Sequence, residues 1–117
     1  MDIYLINGKI RSDIDKLLND KGHAYLSDDF LFYLEDNKNL MACDCSIIYN
    51  QDAYGISFLL NEDMDDLVQA CDYLLSCGLL KEYESKSKQK VICEIQNLKN
   101  LALVAISENL NMILMGD

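Results

Sequence analysis

The chain has 117 residues, half of them hydrophobic, and its 20 acidic and 10 basic residues give a formal net charge of −10. This length predicts a single domain, residues 1–117, with a hydrophobic core of its own. The excess of carboxylates repels nucleic acid and anionic membrane surfaces, so we expect neither as a partner.

The N-terminal region predicts a strand followed by a helix. Asp2–Ile6 is apolar enough for a short strand, and the turn at Asn7-Gly8 allows a hairpin into Lys9–Arg11. Apolar residues at helical spacing, with a serine at the start, predict a helix over Ser12–Lys21. Gly22 follows as a stop signal.

The next region predicts three strands. Phe30–Glu35, Leu40–Tyr49 and Tyr54–Leu60 are rich in aromatic or β-branched residues. Polar turns separate them at Asp36–Asn39 and at Asn50–Asp52. Because the connections are short, we expect an antiparallel meander.

A helix over Asp63–Cys77 has the clearest periodicity. Asp63 with Asp66 resembles a capping box, and Gly78 followed by Leu79 is typical of a helix that ends in the left-handed conformation. The apolar positions between these ends repeat at helical spacing: Met64, Leu67, Val68, Cys71, Leu74 and Leu75.

The C-terminal region predicts a hairpin, followed by a tail that fits either a helix or a second hairpin. Leu79–Glu84 and Lys90–Gln96 flank a polar turn. The tail fits a helix over Leu98–Ile106, but Leu101–Ile106 with Leu110–Met115 also fits a buried hairpin, and periodicity does not decide between them. The predicted fold class is α+β, a single domain with a mainly antiparallel sheet (meander plus hairpin) packed against two or three helices.

Catalytic and metal-binding patterns are missing from the sequence. His23 is the single histidine, and we expect it at the surface. Cys43 and Cys45 are one residue apart, without a second pair to complete a zinc site, so we expect buried thiols on one face of a strand. The acidic run from Asn61 lacks the glycine and glutamate of a calcium loop. We therefore expect that the protein is not an enzyme and binds neither a metal nor a cofactor. A small hydrolase that uses carboxylate side chains is a minor alternative.

The cysteines and the N-terminus predict the compartment. An odd number of cysteines, five, without a secretion signal indicates reduced thiols in the cytoplasm. Apolar stretches such as Leu101–Ile106 are far shorter than the roughly 20 residues of a membrane helix.

The middle of the chain is uniformly acidic. Between Leu40 and Leu80 there is no lysine or arginine, whereas seven acidic residues occur there. With the apolar side of the central helix against the sheet, a polar side remains, and we expect a basic partner to bind it. The candidate partner-binding residues, named here the acidic face, are Asp65, Asp66, Gln69, Asp72 and Tyr73.

In size, acidity and lack of catalytic motifs, the chain resembles the immunity proteins of bacterial polymorphic toxin systems, including contact-dependent growth inhibition. The resemblance covers the whole chain and transfers no site residue. It implies a cytoplasmic protein that neutralises one cognate toxin domain, commonly a basic nuclease, by covering its active site or substrate groove. The oligomeric state stays open.

A second resemblance concerns the order of the predicted elements. Over about Ser12–Asn109, the order helix, three strands, helix, two strands and possible helix is similar to the small acidic type III secretion chaperones. That family implies a dimer that holds an unfolded effector segment. The strand Asp2–Ile6 departs from its pattern.

Overall fold

A computed structural model describes residues 1–7, 22–51, 55–78 and 88–116, with the side chain of residue 88 outside the description. These residues form one antiparallel sheet and helices around a common core, so the α+β fold class is confirmed. The strands are β1 Asp2–Ile6, β2 His23–Tyr25, β3 Ile56–Leu59 and β4 Asn111–Met115. The α-helices are α1 Asp28–Asp36, α2 Ser46–Tyr49, α3 Met64–Ser76 and α4 Lys88–Glu108, and short 3₁₀ helices span Lys38–Leu40 and Asn61–Asp63.

The sheet has the order β2-β1-β4-β3, with every neighbouring pair antiparallel. The C-terminal strand β4 lies between β1 and β3, so the two ends of the described chain form the middle of the sheet. The row Leu5, Met112 and Leu59 runs across three strands and is buried against the helices. The predicted strands Asp2–Ile6 and, within the described residues, Tyr54–Leu60 are thereby confirmed.

The prediction of a strand at Phe30–Glu35 is wrong, because these residues belong to α1. Phe30, Leu31 and Leu34 are buried while Phe32 is exposed, which is a helical pattern and not an alternating one. In a segment this short, aromatic residues suit either structure, and packing against the core selects the helix.

The strand predicted at Leu40–Tyr49 is also wrong, and with it the meander. A 3₁₀ helix ends at Leu40, and α2 begins at Ser46. A carboxylate oxygen of Asp44 accepts a hydrogen bond from the Ser46 amide at 2.9 Å, which favours a turn into a helix. Cys45 and Ile48 are both buried one helical turn apart.

The hairpin strand predicted at Lys90–Gln96 is wrong, since α4 runs through it from Lys88 to Glu108. For the tail, the helix alternative is therefore confirmed at Leu98–Ile106, and a strand follows at β4. Asn109 has a φ of 56°, and the Leu110 amide donates to the Ala105 carbonyl at 2.9 Å. This is the hydrogen bond of a Schellman cap, and it ends α4 just before the sheet.

The helix predicted at Asp63–Cys77 is confirmed as α3, which these two residues flank. The predicted capping box is wrong in its partner, because the Asp63 carboxylate accepts from the Leu60 amide at 2.9 Å instead of pairing with Asp66. Gly78 has a φ of 82°, as expected for the left-handed end of the helix.

Two side-chain contacts join the helices to the rest of the fold. Glu94 of α4 is 7% exposed and accepts a hydrogen bond from the Ser27 hydroxyl at 2.8 Å, directly before α1. The side-chain amide of Asn61 donates to the backbone carbonyls of Ala105 and Leu110 at 2.8 and 3.0 Å. The second contact places the start of α3 at the end of α4, so the two helices are antiparallel.

Three predictions lie outside the described residues: the hairpin arm Lys9–Arg11, the helix Ser12–Lys21 and the strand Leu79–Glu84. The resemblance to secretion chaperones depended on the predicted element order. Since helices replace the strands at Phe30–Glu35 and Lys90–Gln96, the described fold lacks that order. The alternative function loses the feature on which it depended.

Candidate functional site

The acidic face lies on the solvent side of α3. Asp65, Asp66, Gln69 and Asp72 are exposed, whereas Tyr73 is half-buried. The opposite side of the helix packs into the core through Leu67, Ala70, Cys71 and Leu74, in addition to Met64 at its start. Because its apolar side is buried in the core, α3 holds the polar residues of its other side in fixed positions. A rigid surface loses little conformational freedom on binding, which favours recognition of a partner.

Asp72 differs from the other carboxylates of the acidic face because it has a cation beside it. Lys99 of α4 places its Nζ atom 2.6 Å from Oδ1 of Asp72. Both side chains are partly exposed, so this ion pair adds little stability, at most about 1 kcal/mol. Its local charge is nevertheless neutralised, and Asp72 presents less negative potential to a partner than the sequence suggested.

Tyr73 has a role within the chain that the sequence did not reveal. Its hydroxyl oxygen accepts a hydrogen bond from the Ala42 amide at 2.9 Å. This bond ties the loop between the first 3₁₀ helix and α2 to α3. The predicted aromatic contact residue thus also sets the position of the neighbouring loop.

That loop and α3 enclose a groove of about 350 Å³. Asp66 and Gln69 form its α3 side, and the opposite side has Cys43 and Asp44 from the loop and Ser46 and Ile47 from α2. Hydrogen bonds from Ser46, from its side chain first and then from its backbone, lower the pKa of Asp44. The groove therefore has a carboxylate on each side, and both belong to exposed residues.

The acidic residues of the lysine- and arginine-free middle divide into two groups. Asp44, Asp63 and Asp72 have partners within the chain: Ser46, Leu60 and Lys99. Glu62, Asp65 and Asp66 have no ion pair or side-chain hydrogen bond among the described residues, and Asp52 lies outside them. Within this part of the chain, the uncompensated negative charge thus lies at the start of α3 and just before it.

The thiols near the groove are mostly buried. Burial raises the pKa of both Cys45 and Cys71 to about 12, so these thiols stay neutral at physiological pH. The predicted burial is confirmed for Cys45, but Cys43 is only half-buried and neither residue lies on a strand. Within the described ranges, no three His, Cys, Asp or Glu side chains are arranged to hold a metal ion.

The single histidine, His23, lies on β2 at the edge of the sheet, and it is far from these cysteines along the sequence. His23 places Nε2 3.0 Å from Oδ1 of Asp2, and its ring stacks on Tyr4 with the ring centres 4.7 Å apart. Its side chain is exposed, as predicted for a surface histidine.

Sequence reasoning missed the loop wall of the groove because Leu40–Tyr49 was predicted as a strand. The Asp44-x-Ser46 pair could have been recognised as a helix-initiating turn, since aspartate commonly accepts from the amide two residues on. No helix among the described residues is both long and apolar enough to cross a membrane. Comparisons with protein-family models, curated proteins and solved structures found no match.

Proposed function

We propose that this chain is a cytoplasmic immunity protein, which neutralises a cognate basic toxin domain by binding it with the acidic face of α3 and the adjoining groove. The observation that carries the proposal is the uncompensated charge at the start of α3. Glu62, Asp65 and Asp66 are without a cationic partner among the described residues.

The charge distribution suits a basic partner better than a neutral one. A net charge of −10 attracts a cationic domain at long range, and exposed carboxylates on one helix orient it on approach. A nuclease binds phosphates through lysine and arginine side chains. Carboxylates on a rigid helix can occupy those same side chains and thereby exclude the nucleic acid.

The groove adds shape to this charge. Asp44 and Asp66 line it on opposite walls, and the side-chain amide of Gln69, on the same wall as Asp66, can donate or accept a hydrogen bond. A partner arginine that enters the groove would find carboxylate acceptors, and a planar guanidinium suits paired acceptors better than an ammonium does. We therefore assign the partner contact to both sides of the groove and not to α3 alone.

The proposal is tested with the C-terminal domain of the protein encoded directly upstream. We expect this chain to protect bacteria that express that domain and to bind it with one-to-one stoichiometry. The variant Asp65→Lys/Asp66→Lys should weaken binding more than about tenfold and make the affinity less dependent on salt. Asp72 is left unchanged because its reversal would place a lysine beside Lys99.

The matched control is Glu35→Lys/Asp36→Lys, an adjacent exposed pair on α1 with the same change of charge. If both double variants lose affinity equally, net charge and not the acidic face determines binding. An upstream gene without a toxin domain, or full affinity in the α3 variant at low salt, would contradict the proposal. Far-UV circular dichroism verifies that both variants are folded.

A further inference from the structure

Two large apolar side chains are exposed on the outer side of α4. Leu103 is 44% and Ile106 is 39% exposed, and their spacing of three residues places them on one face of the helix. They do not belong to the row through which α4 enters the core, which consists of Val91, Ile95, Leu98, Leu101, Ala102 and Ala105. Isolated exposed apolar residues are common, but neighbours at helical spacing form a patch.

The position of the patch follows from the contacts between the antiparallel helices α3 and α4. The Asp72–Lys99 ion pair fixes their register at one point. From that register, the geometry of antiparallel helices predicts Val68 beside Leu103 one helical turn further along each helix, and Asp65 near Ile106 after another turn. We name Val68, Leu103 and Ile106 the α3–α4 seam; it lies next to the acidic face.

The seam therefore combines an apolar centre with an acidic border. Val68 is packed against the core and is less exposed than Leu103 and Ile106. Asp65 has no counter-charge among the described residues, whereas Asp72 is neutralised by Lys99 at the other end. An apolar centre with a polar rim is the usual composition of a protein interface.

The charges select the occupant. A second copy of this chain would bring its own acidic border against Asp65, and like charges across an interface are repulsive. A partner with a lysine or arginine next to an aliphatic or aromatic residue would pair its cation with Asp65 and bury its apolar residue in the seam. Such a basic amphipathic segment complements both the charge and the polarity of this surface.

We propose that the α3–α4 seam receives an apolar side chain of the basic partner, next to a cation that pairs with Asp65, and that this contact supplies affinity beyond charge attraction. The inference rests on the proposed function, because it extends the acidic face to a second part of the same interface. It differs from that function in one testable respect, namely that binding depends on apolar residues.

The test uses two synthetic peptides of equal positive charge. One is an amphipathic helix of lysine and leucine, and the other has serine in place of every leucine. Affinity of the full chain for each is measured by isothermal titration calorimetry at low salt. We expect the leucine peptide to bind about tenfold more tightly, in line with burial of the two partly exposed side chains. The double variant Leu103→Ser/Ile106→Ser should remove this preference.

The matched control is Phe32→Ser on α1, where the side chain is 46% exposed and therefore comparable to Leu103. It should leave the preference unchanged. The single variant Leu103→Ser gives an intermediate loss and guards against misfolding of the double variant. Amide chemical shifts recorded with the leucine peptide should change around Val68, Leu103 and Ile106.

The outcomes separate the two proposals. Equal affinity for both peptides, or a preference that survives in the double variant, overturns the seam while leaving the acidic face in place. No binding of either peptide at low salt contradicts both proposals. A wild-type dimer that the double variant converts to a monomer, measured by light scattering, would assign the seam to a second copy and overturn the inference.

Discussion

The contact between Glu94 and Ser27 should contribute measurably to stability. Glu94 of α4 is almost fully buried, and its carboxylate accepts the Ser27 hydroxyl at 2.8 Å and, more weakly, the Ser27 amide at 3.4 Å. Ser27 precedes α1, but its hydroxyl makes no capping bond to that helix because it points to Glu94. The contact thus joins the start of α1 to the first half of α4. We predict that Glu94→Ala destabilises the fold.

The size of the effect follows from the geometry. A hydrogen bond to a charged acceptor contributes about 1.5–3 kcal/mol, and the longer amide contact adds little. In the variant, the freed Ser27 hydroxyl can turn to cap α1, which recovers up to about 1 kcal/mol. Loss of the buried aliphatic part of Glu94 offsets this recovery. We therefore expect a net loss of about 2 kcal/mol in the free energy of unfolding.

Urea unfolding followed by circular dichroism measures this loss. With a slope of roughly 1–2 kcal/mol per molar urea, the midpoint should fall by about 1–2 M. Gln96→Ala, two residues along the same helix at an exposed position, is the control and should change stability by less than about 0.5 kcal/mol. A double-mutant cycle of Glu94→Ala with Ser27→Ala should give a coupling of about 1–2 kcal/mol.

A coupling near zero, with Glu94→Ala still destabilising, would refute the role assigned to the hydrogen bond and leave only packing. An unchanged midpoint would refute the contact altogether. Glu94→Gln is informative in either case, because an amide can still accept from Ser27 but carries no charge toward the start of α1. It should lose less than the alanine variant does.

Four further predictions concern single residues. Asn61→Ala removes both bonds from its amide to the end of α4 and should cost about 1–3 kcal/mol in urea unfolding, whereas Glu62→Ala beside it should be near neutral. Tyr73→Phe should cost about 1 kcal/mol and speed amide hydrogen exchange in the loop that it ties to α3; unchanged exchange would contradict that tie. Burial raises the pKa of Cys71 from its ordinary value of 9.0 to about 12. The contribution of its neutral thiol to the free energy of unfolding should therefore be fully present below pH 9 and decrease above it. Mass spectrometry should show the exposed Cys93 alkylated well before Cys71, and equal rates would contradict this.

The candidate site was predicted in part from the sequence. Periodicity alone placed Asp65, Asp66, Gln69 and Asp72 on the solvent side of a helix, where the structure has them. The sequence could not show that Asp72 pairs with Lys99, since the two residues are 27 positions apart and meet only when α3 and α4 pack. The loop wall of the groove was likewise missed, because its position depends on the bond between Ala42 and Tyr73.

The sequence alone determined two elements, because each has both the expected pattern of apolar residues and a signal for where it ends. The strand Asp2–Ile6 is apolar and ends at a turn signal, and α3 has helical spacing, acidic residues at its start and Gly78 at its end. These local signals agree with each other, so tertiary packing had no competing structure to select.

The remaining elements were decided by tertiary structure. Phe30–Glu35 is too short to separate a strand from a helix by periodicity, and the core settles the matter by burying residues three and four apart. Lys90–Gln96 differs, because the helical spacing Val91, Ile95, Leu98, Ala102 and Ala105 runs from it into the tail and was readable only when the two segments were taken as one helix. The insertion of β4 between β1 and β3 had no local signal, because strand order depends on which apolar surfaces meet after the chain has collapsed.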